Sequence, residues 1–240
     1  MRVTCVFRRN TRNARRRWAF FSSLPVKTMI AIIDYKAGNL TSVQRALAFI
    51  GRDSVITSSA AEVLAAERII FPGVGAAGTA MFDLMRLKLD TAMVEAYGIG
   101  KPILGICLGT QIVMERSDEN HTRCLGLIKG EVLRFPENIS EPGGRKLKVP
   151  HMGWNRVTMK GKHPVFNGID PQSEFYFVHS YYPGPRETRN ILGETFYGIP
   201  FASVLASSNL VAVQFHPEKS GRPGLKLLSN FCMWDGKDHA

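Results

Sequence analysis

The 240 residues read as an α/β protein with a mostly parallel central sheet, helices on both of its faces, and an added antiparallel β-rich portion. Three observations carry this reading. Over roughly the first half, apolar runs of strand length alternate with segments of helical spacing. After about Leu125 the texture changes to shorter β-type segments separated by loops rich in Gly, Pro and Lys. Two glycine-rich turns also follow early strands, at the carboxyl ends where an open parallel sheet places its ligands.

Taken in order, 29–34 is a buried strand, Gly38-Asn39 a turn, and 40–50 a helix whose apolar positions are Leu40, Val43, Leu47 and Ile50. Gly51 closes that helix. Residues 54–57 form a second strand, 60–66 a short helix and 68–71 a third strand. Pro72-Gly-Val-Gly75 leads into one helix over 79–97, followed by an apolar strand over 103–106. Beyond it, strands are expected at 130–135, 154–159, 174–182, 199–206 and 210–215, with a closing helix at 223–232. A chain this long with 45% hydrophobic residues holds a substantial core, and one domain is the better count.

Charge is unevenly spread. Residues 1–28 carry seven Arg, one Lys and no acid, so +8 of the net +11 lies in that stretch and the remainder is close to neutral. A basic segment of this kind reads as a targeting sequence, a nucleic-acid arm or an upstream extension. Because Met29 opens a buried strand directly, 1–28 is expected to be a disordered or non-native extension, with the working domain over 29–240 and no nucleic-acid partner. No apolar run reaches the roughly 18 residues needed to span a membrane. The four cysteines form neither a C-x-x-C nor a disulfide framework, which points to a reducing cytoplasm. The histidines show no metal-ligand spacing, and no cofactor is expected.

Gly73-Val-Gly75-Ala-Ala-Gly78 has the spacing of a dinucleotide fingerprint. That fingerprint wants an acid at the end of the next strand, but Asp90 and Glu95 fall inside a helical segment. The loop suits an oxyanion equally well, since its N–H groups are free and close approach is possible. The next strand ends in Gly105-Ile-Cys107-Leu-Gly109, just before helical spacing begins. This arrangement presents a cysteine at a strand-to-helix turn with glycines on both sides, the geometry of a nucleophile elbow. The helix behind it favours thiolate. By itself the pattern is equally that of a buried structural cysteine. Near the other end of the chain, an apolar strand runs into His216-Pro217-Glu218, where extended backbone sets His216 and Glu218 side by side. Cys107, His216 and Glu218 thus supply nucleophile, base and orienting acid, and the Leu108 N–H is a natural oxyanion donor.

These motifs resemble the class I glutamine amidotransferases over 29–231. Further blocks, Asp34-Tyr-Lys-Ala-Gly-Asn-Leu40, Pro150-His-Met-Gly-Trp-Asn155, Tyr176-Phe-Val-His-Ser-Tyr181 and Gln214-Phe-His-Pro-Glu-Lys-Ser220, are similar to the glutaminase subunits of imidazole glycerol phosphate synthase. The resemblance implies hydrolysis of L-glutamine by Cys107, His216 and Glu218, with a second oxyanion donor in Gly73-Val74-Gly75. It also implies contact with glutamine through Glu119, Ser180 and Tyr181; Gln111, at i+4 from Cys107, can face the same pocket. The implied partner is a (β/α)8-barrel cyclase, met as a heterodimer through His151, Met152, Trp154, Asn155 and Lys219. His179 is expected to be a structural hydrogen-bonder. Lys36 and Ala37 stand where glycine is frequent in relatives. Another class I amidotransferase component and a non-catalytic binding subunit remain as alternatives.

Overall fold

The computed structural model describes residues 29–36 and 38–237. Ala37 and the basic extension expected over 1–28 lie outside the described residues. The first half runs β1 (Ile30–Ile33), α1 (Leu40–Phe49), β2 (Ser54–Thr57), α2 (Ala60–Ala65), β3 (Arg68–Gly73), α3 (Ala77–Arg86), α4 (Leu89–Gly98), β4 (Ile103–Cys107) and α5 (Leu108–Ile112). Short strands β5 (Arg116–Ser117) and β6 (Thr122–Arg123) follow, then β7 (Gly130–Arg134), β8 (His151–Arg156) and β9 (Thr158–Met159). The chain ends with β10 (Glu174–His179), β11 (Tyr181–Pro185), β12 (Ile191–Tyr197), β13 (Ile199–Ser207), β14 (Leu210–Val213) and α6 (Gly221–Met233).

Eight strands form the main sheet in the order β2-β1-β3-β4-β14-β13-β12-β9. The pairings from β2 through β14 are parallel and the remaining three are antiparallel. The expected mixture of parallel centre and antiparallel addition is therefore present. β1, β4 and β14 are buried along their whole length, which is why they read as continuous apolar runs rather than alternating ones. Side chains leave β4 alternately: Leu104 and Ile106 join a cluster beneath α1 and α6, and Ile103 joins another beneath α2, α3 and α4. Two smaller sheets, β10-β8 and β11-β7-β5-β6, complete the fold, and residues of β10 and β11 come beside Cys107 at the end of β4.

Three expectations change. The single helix over 79–97 is two helices, broken at Lys88, whose φ is 59°. Leu84 and Leu89 are both fully buried in one cluster; in an unbroken helix, five residues apart, they would point about 140° away from each other. The break brings both to the core. Second, two expected strands are each divided: 154–159 is β8, which begins earlier, at His151, and pairs with β10, followed by β9, and 174–182 is β10 and β11, which lie in different sheets. Third, β12 was absent from the reading; Gly193 and polar residues interrupt its apolar pattern.

Candidate active site

β3 and β4 run side by side, with Gly73 paired to Cys107. Cys107 closes β4 at φ 53°, ψ −106°, a left-handed backbone that costs a non-glycine residue about 1–3 kcal/mol. The surrounding fold holds it there. α5 begins at the next residue, and Gly109 brings it onto β3 so closely that a Cβ would sit 1.9 Å from the Phe71 carbonyl oxygen. Gly105 is tight too, with Ala212 Cβ 3.0 Å from where its own Cβ would be. The glycines flanking Cys107 thus permit the packing that aims its sulfur.

β14, on the other side of β4, delivers His216. Contrary to the expected extended backbone, Pro217–Lys219 forms a 3-10 turn, because Pro217 fixes φ at its first position and Lys219 N–H donates to the His216 carbonyl. The outcome is nevertheless the expected pair, His216 Nδ1–H donating to Glu218 Oε1 at 2.8 Å with both side chains buried. A carboxylate only accepts, so Nδ1 carries the hydrogen and Nε2 is the nitrogen left for chemistry. Nε2 is buried and has no hydrogen-bond partner among the described residues. Burial draws the His216 pKa down, yet the neighbouring Cys107 sulfur and the bond to Glu218 outweigh it and push the imidazole up to about 10.

Cys107 and His216 line one cavity of about 350 Å3, within the range of small-ligand sites. Val74, Gly75, Leu108, Gln111, Glu119, Ser180 and Tyr181 line it as well. Gly73 and Glu218 stand behind this wall. Gln111 Nε2 donates to the Tyr181 carbonyl at 3.0 Å and toward Gln214 Oε1 at 3.3 Å, so its amide is fixed. Glu119 Oε2 accepts the Ala77 N–H at 2.7 Å. It thereby satisfies an orphan donor at the start of α3, where Ala76 offers no side-chain cap.

Several residues were not foreseen. Asn39 Nδ2 donates to Glu218 Oε1 at 2.5 Å, making a third link behind the imidazole. Gln214 Nε2 lies 3.8 Å from the Cys107 sulfur. A glutamine inside the otherwise apolar 210–215 run was the available signal; nothing local linked Asn39 to a residue 179 positions away. His179 lines the cavity and bonds as expected, its Nδ1–H donating to the Tyr181 carbonyl at 2.8 Å. Its Nε2 must then accept from His151 Nδ1 at 3.0 Å.

That bond corrects the reading of His151 as an interface residue. Its ring is 2% exposed and stacked between Phe177 and Tyr197, at 4.8 and 4.0 Å. The alternation of β8 explains it: His151 points inward while Met152 and Trp154 stand 62% and 55% exposed. Trp154 meets Tyr176 edge-on, and the exposed Lys219 ammonium lies 6.0 Å from the same ring. Asn155 is half-buried, donating to the Phe196 carbonyl. Among the described residues, no helix is long and apolar enough to cross a membrane.

Comparison with known proteins agrees with this geometry. The family model "Glutamine amidotransferase class-I" matches residues 31–234. A protein of Maridesulfovibrio salexigens named imidazole glycerol phosphate synthase subunit HisH is 53% identical over 203 residues, 85% of this chain and 95% of that one. Pseudomonas aeruginosa subunit HisH 1 is 47% identical over 210 residues, 87% and 98% of the two chains. The solved structure of PurLQS from Thermotoga maritima shares the fold at 17% identity, with a TM-score of 0.63 over 85% of this chain and 97% of that one. The chain belongs to the class I glutamine amidotransferases, in the group named HisH.

Proposed function

We propose that this chain is the glutaminase subunit of an imidazole glycerol phosphate synthase, with Cys107, His216 and Glu218 as its catalytic triad. One observation carries the assignment of roles: the His216 imidazole is held by Glu218 at Nδ1 while its buried Nε2, without a hydrogen-bond partner among the described residues, shares a cavity with the Cys107 sulfur. In this mechanism His216 takes the thiol proton and the sulfur attacks the carboxamide carbon of L-glutamine. The oxyanion is received by the Leu108 N–H and by an N–H of Gly73-Val74-Gly75. His216 then gives its proton to the departing nitrogen, ammonia leaves, and water cleaves the γ-glutamyl thioester to glutamate. Glu218 keeps the imidazole in the useful tautomer and stabilises its cation.

Glu119 receives the α-amino group of glutamine, with Gln111, Ser180 and Tyr181 as the remaining wall. Ammonia passes to a (β/α)8-barrel cyclase that makes imidazole glycerol phosphate and AICAR, in the cytoplasm where histidine is built. The docking face is the exposed Met152, Trp154 and Lys219, with Asn155 at its edge. A hollow of about 780 Å3 beside Met152 and Trp154 supports this choice, because Pro150 lines both it and the catalytic cavity. The test is glutamate release from glutamine with and without the cyclase and its nucleotide substrate. Marked stimulation is expected; its absence removes the subunit assignment.

A further inference from the structure

Tyr35, just after β1, lies near the elbow, and the mechanism above does not use it. It is 2% exposed, and its ring meets Phe71 edge-on at 5.5 Å. Its hydroxyl is buried and has no hydrogen-bond partner among the described residues. A buried hydroxyl normally finds one, since leaving it unpaired costs desolvation that nothing offsets. Phenylalanine would keep the packing without that cost.

The surroundings of the hydroxyl indicate its use. A Cβ placed on Gly73 would lie 2.0 Å from Tyr35 Oη and 3.0 Å from Leu108 Cβ. The oxygen therefore occupies space that only glycine leaves free, against the turn expected to supply one oxyanion donor and beside the residue expected to supply the other. Val74 and Gly75 face the catalytic cavity, whereas Tyr35 is not part of its wall. It approaches the turn from behind. The C=O and N–H of a trans peptide point in opposite directions. A carbonyl of this turn that rotates to meet Oη consequently turns the N–H of the same peptide toward the cavity. Gly73 and Gly75, the latter at φ +99°, flank Val74 and allow such rotation.

We infer that Tyr35 is a positioning residue of the oxyanion hole, its hydroxyl donating to a main-chain carbonyl of Gly73-Val74-Gly75 in the competent state so that the opposing N–H faces the oxyanion. This rests on the proposed glutaminase mechanism. The burial that holds the phenol well above its ordinary pKa, together with the Cys107 charge, keeps it a donor throughout the working range.

The experiment compares the full chain with its Tyr35→Phe variant, each assembled with the barrel cyclase and its nucleotide substrate. The variant should lose about tenfold or more in kcat for glutamate release, with KM within about twofold, while its Tm holds or rises. That combination separates positioning from packing, because a structural tyrosine would lower Tm together with activity. Unchanged kcat, or a kcat loss accompanied by a lowered Tm, overturns the inference. Active wild type beside an equally active Tyr35→Phe refutes Tyr35 alone; inactive wild type removes the glutaminase reading beneath it.

Discussion

Glu218→Gln tests the part of the site that the structure defines most closely. Glu218 Oε1 accepts from His216 Nδ1 and Asn39 Nδ2, and the side chain is fully buried. A glutamine that keeps its oxygen at this position preserves both bonds and the tautomer, and loses only the charge. Bonds to a charged group contribute about 1.5–3 kcal/mol and neutral ones about 0.5–1.5, so two such bonds weaken by roughly 2–3 kcal/mol together. At 1.36 kcal/mol per tenfold, kcat/KM for glutamate release falls by roughly 30- to 150-fold. The sign of the accompanying pH change is fixed. Removing an anion beside His216 destabilises the imidazolium, so its pKa drops from about 10 and the alkaline limb of the rate profile moves to lower pH. The assay is glutamate release with the cyclase present, from pH 6 upward. A variant within about threefold of wild type, with an unmoved alkaline limb, refutes the role given to Glu218.

Gly109→Ala should be damaging even though alanine is small and helix-favouring. Its Cβ meets the Phe71 carbonyl oxygen at 1.9 Å, backbone against backbone, so α5 must retreat from β3; a loss of about 2 kcal/mol or more, read as a lowered Tm, is expected. A Tm equal to wild type contradicts the packing account of the elbow. His151 and His179 predict acid sensitivity. Burial draws them down to about 4 and about 3, against 6.5 in the unfolded chain. The unfolded state therefore takes up protons that the folded one refuses, and stability falls as pH drops from 6.5 toward 4. Between pH 7.5 and 5 the loss is roughly 2 kcal/mol per histidine, measurable as a reduced denaturant midpoint. His179→Gln should shrink this loss; an unchanged loss argues against the buried pair.

The parallel core was legible because its strands are buried on both faces and carry uninterrupted apolar runs, as 30–33, 103–106 and 210–213 do. The elbow was legible because glycine is required at Gly105 and Gly109 for packing that other residues obstruct. What escaped reading depends on tertiary contact. Asn39 reaches Glu218 only because α1 and the 3-10 turn at Pro217–Lys219 meet in space, and the unpaired Tyr35 hydroxyl has no counterpart in sequence pattern. His151 was misassigned for a simpler reason. The expected strand began only at Trp154, so no inward and outward alternation was read from His151 on, and β8 supplies it, hiding His151 while exposing Met152 and Trp154.

Cys107, Cys124 and Cys232 are all buried free thiols, yet only Cys107 lies in the cavity that holds His216. Peptide mass spectrometry after treatment with a diazoketone analogue of glutamine distinguishes them directly. The account predicts one adduct per chain, on Cys107, slowed by excess glutamine and accompanied by complete loss of glutamate release. An adduct on Cys124 or Cys232 that abolishes turnover, or full turnover with Cys107 replaced by alanine, would contradict it.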